Sequence, residues 1–161
     1  MLRSVRVMAE DFDLGVEWSA LREALDGSSG AIAAFCGLVR QHADSATAST
    51  LTLEHYPGMT EPSIERIIDR AEARWPLDAI SVIHRVGELA PADQIVLVLT
   101  ASAHRDAAFA SCEFVMDYLK TEAVFWKKET RDGVSHWVES TDADHQRAVD
   151  WQPTSDTSER P

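Results

Sequence analysis

The spacing of the apolar residues changes at Thr60, and that change limits the folds open to this chain. Ile64, Ile67, Ile68, Ala71 and Trp75 recur at i, i+3, i+4, i+7 and i+11, which is one face of a helix. The other face carries Glu65, Arg66, Asp69, Arg70, Glu72 and Arg74, and Pro76 stops the pattern. Before it, "TLTLEHY" (50–56) alternates with a period of two and is punctuated by Pro57-Gly58. After it come two successive β-compatible runs, "AISVIHRVGEL" (79–89) and "QIVLVLTAS" (94–102), joined around "APAD" as a hairpin. A helix set between groups of strands departs from the strict alternation that builds a doubly wound parallel sheet.

The remaining segments read the same way. "RSVRVMA" (3–9) is a first strand, and "EWSALREALDG" is a short helix of about ten residues ended by Gly27. "GAIAAFCGLVR" (30–40) is a buried strand leading to Arg40, and the polar "QHADSATAS" that follows is a surface loop. Ser102 caps a second long helix with Ala108, Cys112, Val115, Met116 and Leu119 on its buried side, ending near Lys120. "VFWKKETRDGVSHWVE" is strand, tight turn at Asp132-Gly133, strand. The order β-α-β-β-α-β-β-α-β-β predicts an α+β domain with mainly antiparallel strands and packed helices. Residues 1–151 are expected to form a single domain, and 152–161, with almost nothing to bury, a disordered tail.

Charge narrows the function. The formal net charge is −12 and the pI near 4.8, which argues against nucleic-acid or anionic-membrane binding. No apolar run reaches the ~20 residues that span a bilayer, and the N-terminus lacks a signal-peptide pattern, so a cytoplasmic protein is expected. Cys36 and Cys112 lie outside any Cys-x-x-Cys pattern and read as reduced, mostly buried thiols. The histidines show no metal-binding spacing, His84 and His136 read as structural, and neither a Gly-x-Ser-x-Gly nor a Walker loop is present; no metal or cofactor is expected.

Against that acidic background the lysines are concentrated in one place. Lys120, Lys127 and Lys128, the only three in the chain, lie within "MDYLKTEAVFWKKET" (116–130) around Val124, Phe125 and Trp126. Residues 120–131 carry a net +2, so the rest of the chain carries about −14. Lys120 sits at a helix C-terminus, where the backbone dipole favours a cation. Lys127 and Lys128 are consecutive on a strand, so one faces inward if the other faces water. A lysine beside Phe125 and Trp126 can be partly desolvated, which lowers its pKa toward acid–base or nucleophilic use. The second candidate is "SAHR" (102–105) at a helix N-terminus, which offers an anion backbone N–H groups as well as His104 and Arg105. Arg40, at a strand end, is the third. Taken alone these residues are compatible with a solvated basic face or with a site for an anion.

Five stretches carry a resemblance: "GLVR" (37–40), "LTLEHYPGM" (51–59), "WPL…VIHRVGEL" (75–89), "SAHR" (102–105) and "MDYLKTEAVFWKKE" (116–129). In this order and spacing the chain resembles the large, catalytic subunit of molybdopterin synthase, from about Gly30 to Glu139. The resemblance implies a hammerhead-type α+β fold and a homodimer in which each protomer binds a small ubiquitin-like sulfur carrier, giving a heterotetramer. It implies transfer of sulfur from the carrier's Gly-Gly thiocarboxylate to cyclic pyranopterin monophosphate, forming the molybdopterin dithiolene without metal or ATP. Lys120 and Lys127 match the family's catalytic lysines. Leu38, Val39, Arg40, His104, Arg105, Lys120, Lys127, Lys128 and Glu129 match substrate-contacting positions, with His104 and Arg105 reaching a neighbouring protomer's site.

The chain departs from the family pattern at Leu38, where a polar or basic residue is frequent, and in the loop after Arg40, which lacks the customary Asn and Gly. Glu122 and Val124 stand where Arg and Pro are frequent. Two other functions use the same residues: a non-catalytic adaptor that docks an acidic partner tail on the basic strand, and a phosphate-ligand binder built on "SAHR" and Arg40.

Overall fold

The computed structural model describes residues 1–41 and 50–152. Among the described residues the strands form two four-stranded sheets. The first has the order β1 (Leu2–Met8), β4 (Ala79–Arg85), β6 (Gln94–Ser102), β2 (Ala31–Leu38). The second has the order β5 (Gly87–Leu89), β3 (Thr50–His55), β7 (Phe125–Arg131), β8 (Val134–Val138). Among the described residues only β1 and β4 pair in parallel; the other pairs are antiparallel. The α+β expectation with mainly antiparallel strands therefore holds.

The central strands β4 and β6 are buried nearly throughout because helices cover both faces of the first sheet. Val82, Val96 and Val98 point to one side, where they meet Ile64, Ile67, Ile68 and Ala71 of α2 (Thr60–Glu72) and Ala108, Cys112 and Val115 of α3 (Arg105–Thr121). Ile83, Leu97 and Leu99 point to the other side, against Phe12 and Leu21, the latter on α1 (Leu14–Ala24). The second sheet turns Leu53 and Leu89 inward to Val39, with Phe125 and Ile95 joining this smaller cluster to the main core.

Several expectations change in detail. Helix α1 starts three residues earlier than expected because Asp13 is its N-cap, accepting from the Val16 N–H at 3.0 Å. β2 is an edge strand and not a buried one: Phe35 and Leu38 are exposed. α2 ends at Glu72, before Pro76; Trp75 lies beyond it yet still packs edge-on against Phe114 at 5.3 Å. The expected hairpin is real between β4 and β6, but residues 87–89 leave it to join the other sheet as β5. Ser102 ends β6 instead of capping α3, whose N-cap is His104; the Ser102 hydroxyl donates to the Pro76 carbonyl and accepts from the His104 N–H. The expected strands at 125–138 are joined by Asp132 (φ 49°) and Gly133 (φ 76°), the left-handed pair that suits a tight hairpin.

A last helix, α4 (Asp142–Asp150), was not expected. The loop at 41–49 and the tail at 152–161 lie outside the described residues, apart from Gln41 and Gln152. Among the described residues no helix is long and apolar enough to cross a membrane.

Candidate active site

Three elements converge at the C-terminal end of α3. The helix carries Lys120 in its last turn, and the chain then needs only a few residues to enter β7. That short link is clamped by α2. The Glu122 carboxylate accepts from Arg70 at 2.6 Å, the Thr60 hydroxyl donates to the Val124 carbonyl at 2.7 Å, and the Val124 N–H donates to the Ser63 hydroxyl at 3.1 Å. The two departures from the family pattern thus have local partners here: Glu122 pairs with α2, and Val124 donates through an N–H that proline lacks. The clamp fixes where Lys127 stands relative to Lys120.

Alternation along β7 then separates its residues by face. Register pairs Lys127 with Leu53 and Val138, and Lys128 with Thr52 and Trp137. Phe125, Lys127 and Glu129 consequently share the inner face, where Phe125 stacks on His84 with ring centroids 4.0 Å apart. Trp126 and Lys128 share the outer face with Tyr56 and Trp137, the Lys128 amine lying 5.7 Å from the Trp137 ring centre. Phe125 alone of the aromatic pair can line the inner side.

Electrostatics tie the inner face to α3. The Lys127 amine is held below the usual lysine range, first by loss of solvent around it and then by the like charge of Lys120. Asp144 and Glu129 oppose that shift. Residue 127 nevertheless keeps an exposed surface. Lys120 is half exposed and its Nζ lies 3.2 Å from Asp144 Oδ1, on α4. Asp144 is itself only 13% exposed. Its burial opposes ionisation, but hydrogen bonds from the Thr141 hydroxyl and N–H, with the Lys120 charge, hold its carboxyl below the usual range. Beneath Lys127, burial pushes His84 down to about 4, with the lysine's charge contributing and a bond to the Arg85 carbonyl opposing. His84 is thus neutral at pH 7 and serves as a packed floor.

Arg40 approaches from a different direction. The turn after β5 holds Ala92 at φ 73°, a costly backbone for alanine. Its N–H bonds the Val39 carbonyl, and the Val39 N–H bonds the Asp93 carbonyl, both at 2.8 Å. Val39 is buried against Leu53, the residue that pairs with Lys127, so the exposed Arg40 emerges next to this sheet. The Val39 side chain is occupied in the core and only its main chain can face a ligand. Leu38 is 57% exposed.

His104 and Arg105 are not brought here. They stand at the opposite end of α3, fifteen residues from Lys120, or roughly 22 Å along the helix. Both are exposed, and the Arg105 side chain lies 3.6 Å from Asp106. Within one chain, the lysine group and the "SAHR" group are separate surfaces. Glu129 shares the lysine face, where its carboxylate pairs with Arg131 at 3.1 Å and approaches His136 at 3.6 Å.

Sequence reasoning missed Asp144. Its helix was legible in one respect, because Thr141-x-x-Asp144 has the form of a capping box, and both reciprocal bonds are present. The cysteines are free: Cys112 is buried, its thiol pushed up to about 11 by that burial, and Cys36 is half-buried. Among the described residues no group of three or more His, Cys, Asp or Glu side chains is placed to hold a metal ion.

Known proteins resemble this chain over most of its length. The family model described as "MoaE protein" matches residues 7–122. A "Molybdopterin synthase catalytic subunit" of Vibrio cholerae is 51% identical over 92% of this chain and 97% of its own. Among solved structures, "Molybdopterin cofactor biosynthesis protein E" from Burkholderia multivorans superposes with a TM-score of 0.79 at 49% identity, covering 94% of this chain and 97% of that one. Molybdopterin synthase from Staphylococcus aureus gives 0.74 at 28% identity, over 83% and 95% respectively.

Proposed function

Because this chain belongs to the MoaE family, we propose that it is the catalytic subunit of a molybdopterin synthase, transferring sulfur from a thiocarboxylated carrier protein to cyclic pyranopterin monophosphate. The observation that carries this reading is that Lys120, at the end of α3, stands close enough to Lys127, on the inner face of β7, for its charge to act on it in an otherwise acidic molecule. Both reactants are anions. At ~4 Å and an effective dielectric near 20, two like charges repel by about 4 kcal/mol, which a pair of ammonium groups offsets. Lys120 stabilises charge at the carrier's acyl carbonyl, and Lys127, its amine already easier to deprotonate, moves a proton or holds the half-sulfurated intermediate. Arg40 holds phosphate, with Leu38, the Val39 main chain and Glu129 along the same edge.

His104 and Arg105 serve the site of a neighbouring protomer, in a homodimer that binds one small ubiquitin-like carrier per protomer. Residues 1–151 act as a single domain, since Ala148 of α4 shares the core of α2 and α3. The free thiols accord with a reducing, cytoplasmic setting.

The test is dithiolene formation in vitro from the pterin substrate and thiocarboxylated carrier. Wild type forms product. Lys120→Ala keeps its fold and carrier binding and loses about 100-fold or more in rate. Lys120→Arg separates this reading from an adaptor, which would keep its function with any cation at that position. Conversion by Lys120→Ala at the wild-type rate would sink the assignment.

A further inference from the structure

We propose that Asp144 is a positioning residue for sulfur transfer: through α4 it holds the Lys120 ammonium at the end of α3 and sets the charge felt by Lys127. The inference rests on the reading of Lys120 and Lys127 as catalytic residues.

Geometry carries it. α4 lies along the last turns of α3 and is fastened at successive points. Trp151 Nε1 donates to Asp117 at 2.8 Å, and the Tyr118 hydroxyl donates to the Ala148 carbonyl at 3.0 Å. Trp151 also packs edge-on against Phe114 and Trp75, at 5.5 and 5.6 Å. Those contacts fix the helix independently of any charge pair, and its first turn then falls beside Lys120. There the carboxylate of Asp144 is locked from behind. Thr141 bonds it through both hydroxyl and N–H, at 2.8 and 3.2 Å, leaving the other oxygen for Lys120 at 3.2 Å.

A mobile surface acid opposite a lysine contributes little. This one is mostly covered, held by two bonds of its own, and borne by a helix anchored elsewhere, so Lys120 gives up rotamer freedom before any substrate arrives. The charged groups facing Asp144 are Lys120 from α3, Lys127 from β7, on which Glu129 also acts, and Arg147 on α4 itself, whose Nη1 lies 3.4 Å away. Its negative charge supports the protonated form of Lys127.

Glutamate and glutamine both suit the third position of a helix capped by threonine, so Asp144→Glu and Asp144→Gln retain the cap and differ only in charge. Both are compared with wild type and Lys120→Ala in single-turnover sulfur transfer across pH, with carrier affinity and thermal unfolding measured alongside. Asp144→Glu is expected to stay within about threefold of wild type, and Asp144→Gln to lose roughly 10- to 100-fold in rate at unchanged carrier affinity. The lysine-dependent limb of the Asp144→Gln pH profile moves to lower pH. Equal rates and coincident profiles for the two variants, whether both high or both low, overturn the proposal, because the carboxylate charge would then have no role. If Lys120→Ala is itself fully active, the reading of the site fails first; if Lys120→Ala is dead and Asp144→Gln matches Asp144→Glu, only the present inference fails.

Discussion

The two ends of α3 are built differently. At the C-terminus Lys120 is paired with a covered carboxylate, shares its field with Lys127, and is followed by a link that α2 holds with three side-chain bonds. At the N-terminus His104 makes no side-chain cap bond, and the Arg105 side chain is 83% exposed. One end is pre-organised and the other is open. The difference teaches that a single protomer completes only the lysine half of the proposed site. A rigid helix cannot bring both of its ends to one pocket, but two copies related by a closed symmetry can place the N-terminus of one beside the C-terminus of the other.

The faces of β7 offer the sharpest way to break this account. Lys127→Ala is expected to lower sulfur transfer by about 100-fold or more, whereas Lys128→Ala, on the outer face beside Trp137, changes it by less than about threefold. Comparable losses from both, measured as single-turnover rates with saturating carrier, would mean that the inner face is not where the chemistry occurs.

A smaller effect tests the crowding beneath Lys127. His84 has a pKa of about 4 in the folded protein, against an ordinary 6.5. Between those values the unfolded chain takes up a proton that the folded one refuses. The stability this site contributes is therefore fully present above pH 6.5 and is lost as pH falls toward 4, by up to about 3 kcal/mol. Urea unfolding from pH 7 to pH 4.5 measures that slope, and His84→Gln should flatten it. Lys127→Ala should move the midpoint of the slope to higher pH, since the lysine's charge contributes to the depression. An unchanged midpoint would place the amine away from the inner face.

Much of this fold was legible because its periods are clean. The stripe from Ile64 to Ala71 specified α2, and Asp132-Gly133 specified the last hairpin. The apolar runs at 79–89 and 94–102 specified β4 and β6 as antiparallel neighbours. What was not legible depended on partners distant in sequence. Nothing in "GEL" says that it leaves a hairpin to pair with β3; that follows from the turn at Ala92 bonding Val39. Ala31–Leu38 is apolar like a central strand, but whether it stands at an edge depends on what pairs beyond it. At the site, Lys120 and Lys127 were legible because the chain gathers its only three lysines around Phe125. Which of the adjacent pair Lys127 and Lys128 faces inward needed the register with β3, and Asp144 needed a helix with a weak apolar pattern anchored by Trp151.

Mixing protomers tests the claim about α3 most directly. Lys120→Ala and Arg105→Ala chains, each inactive or nearly so alone, are co-expressed and purified as dimers for the sulfur-transfer assay. If every site takes Lys120 from one chain and Arg105 from its partner, each mixed dimer holds one doubly altered site and one intact site, so about a quarter of wild-type activity returns. If a chain supplied both residues to its own site, every site would carry one lesion, and the mixture would stay as inactive as its parents.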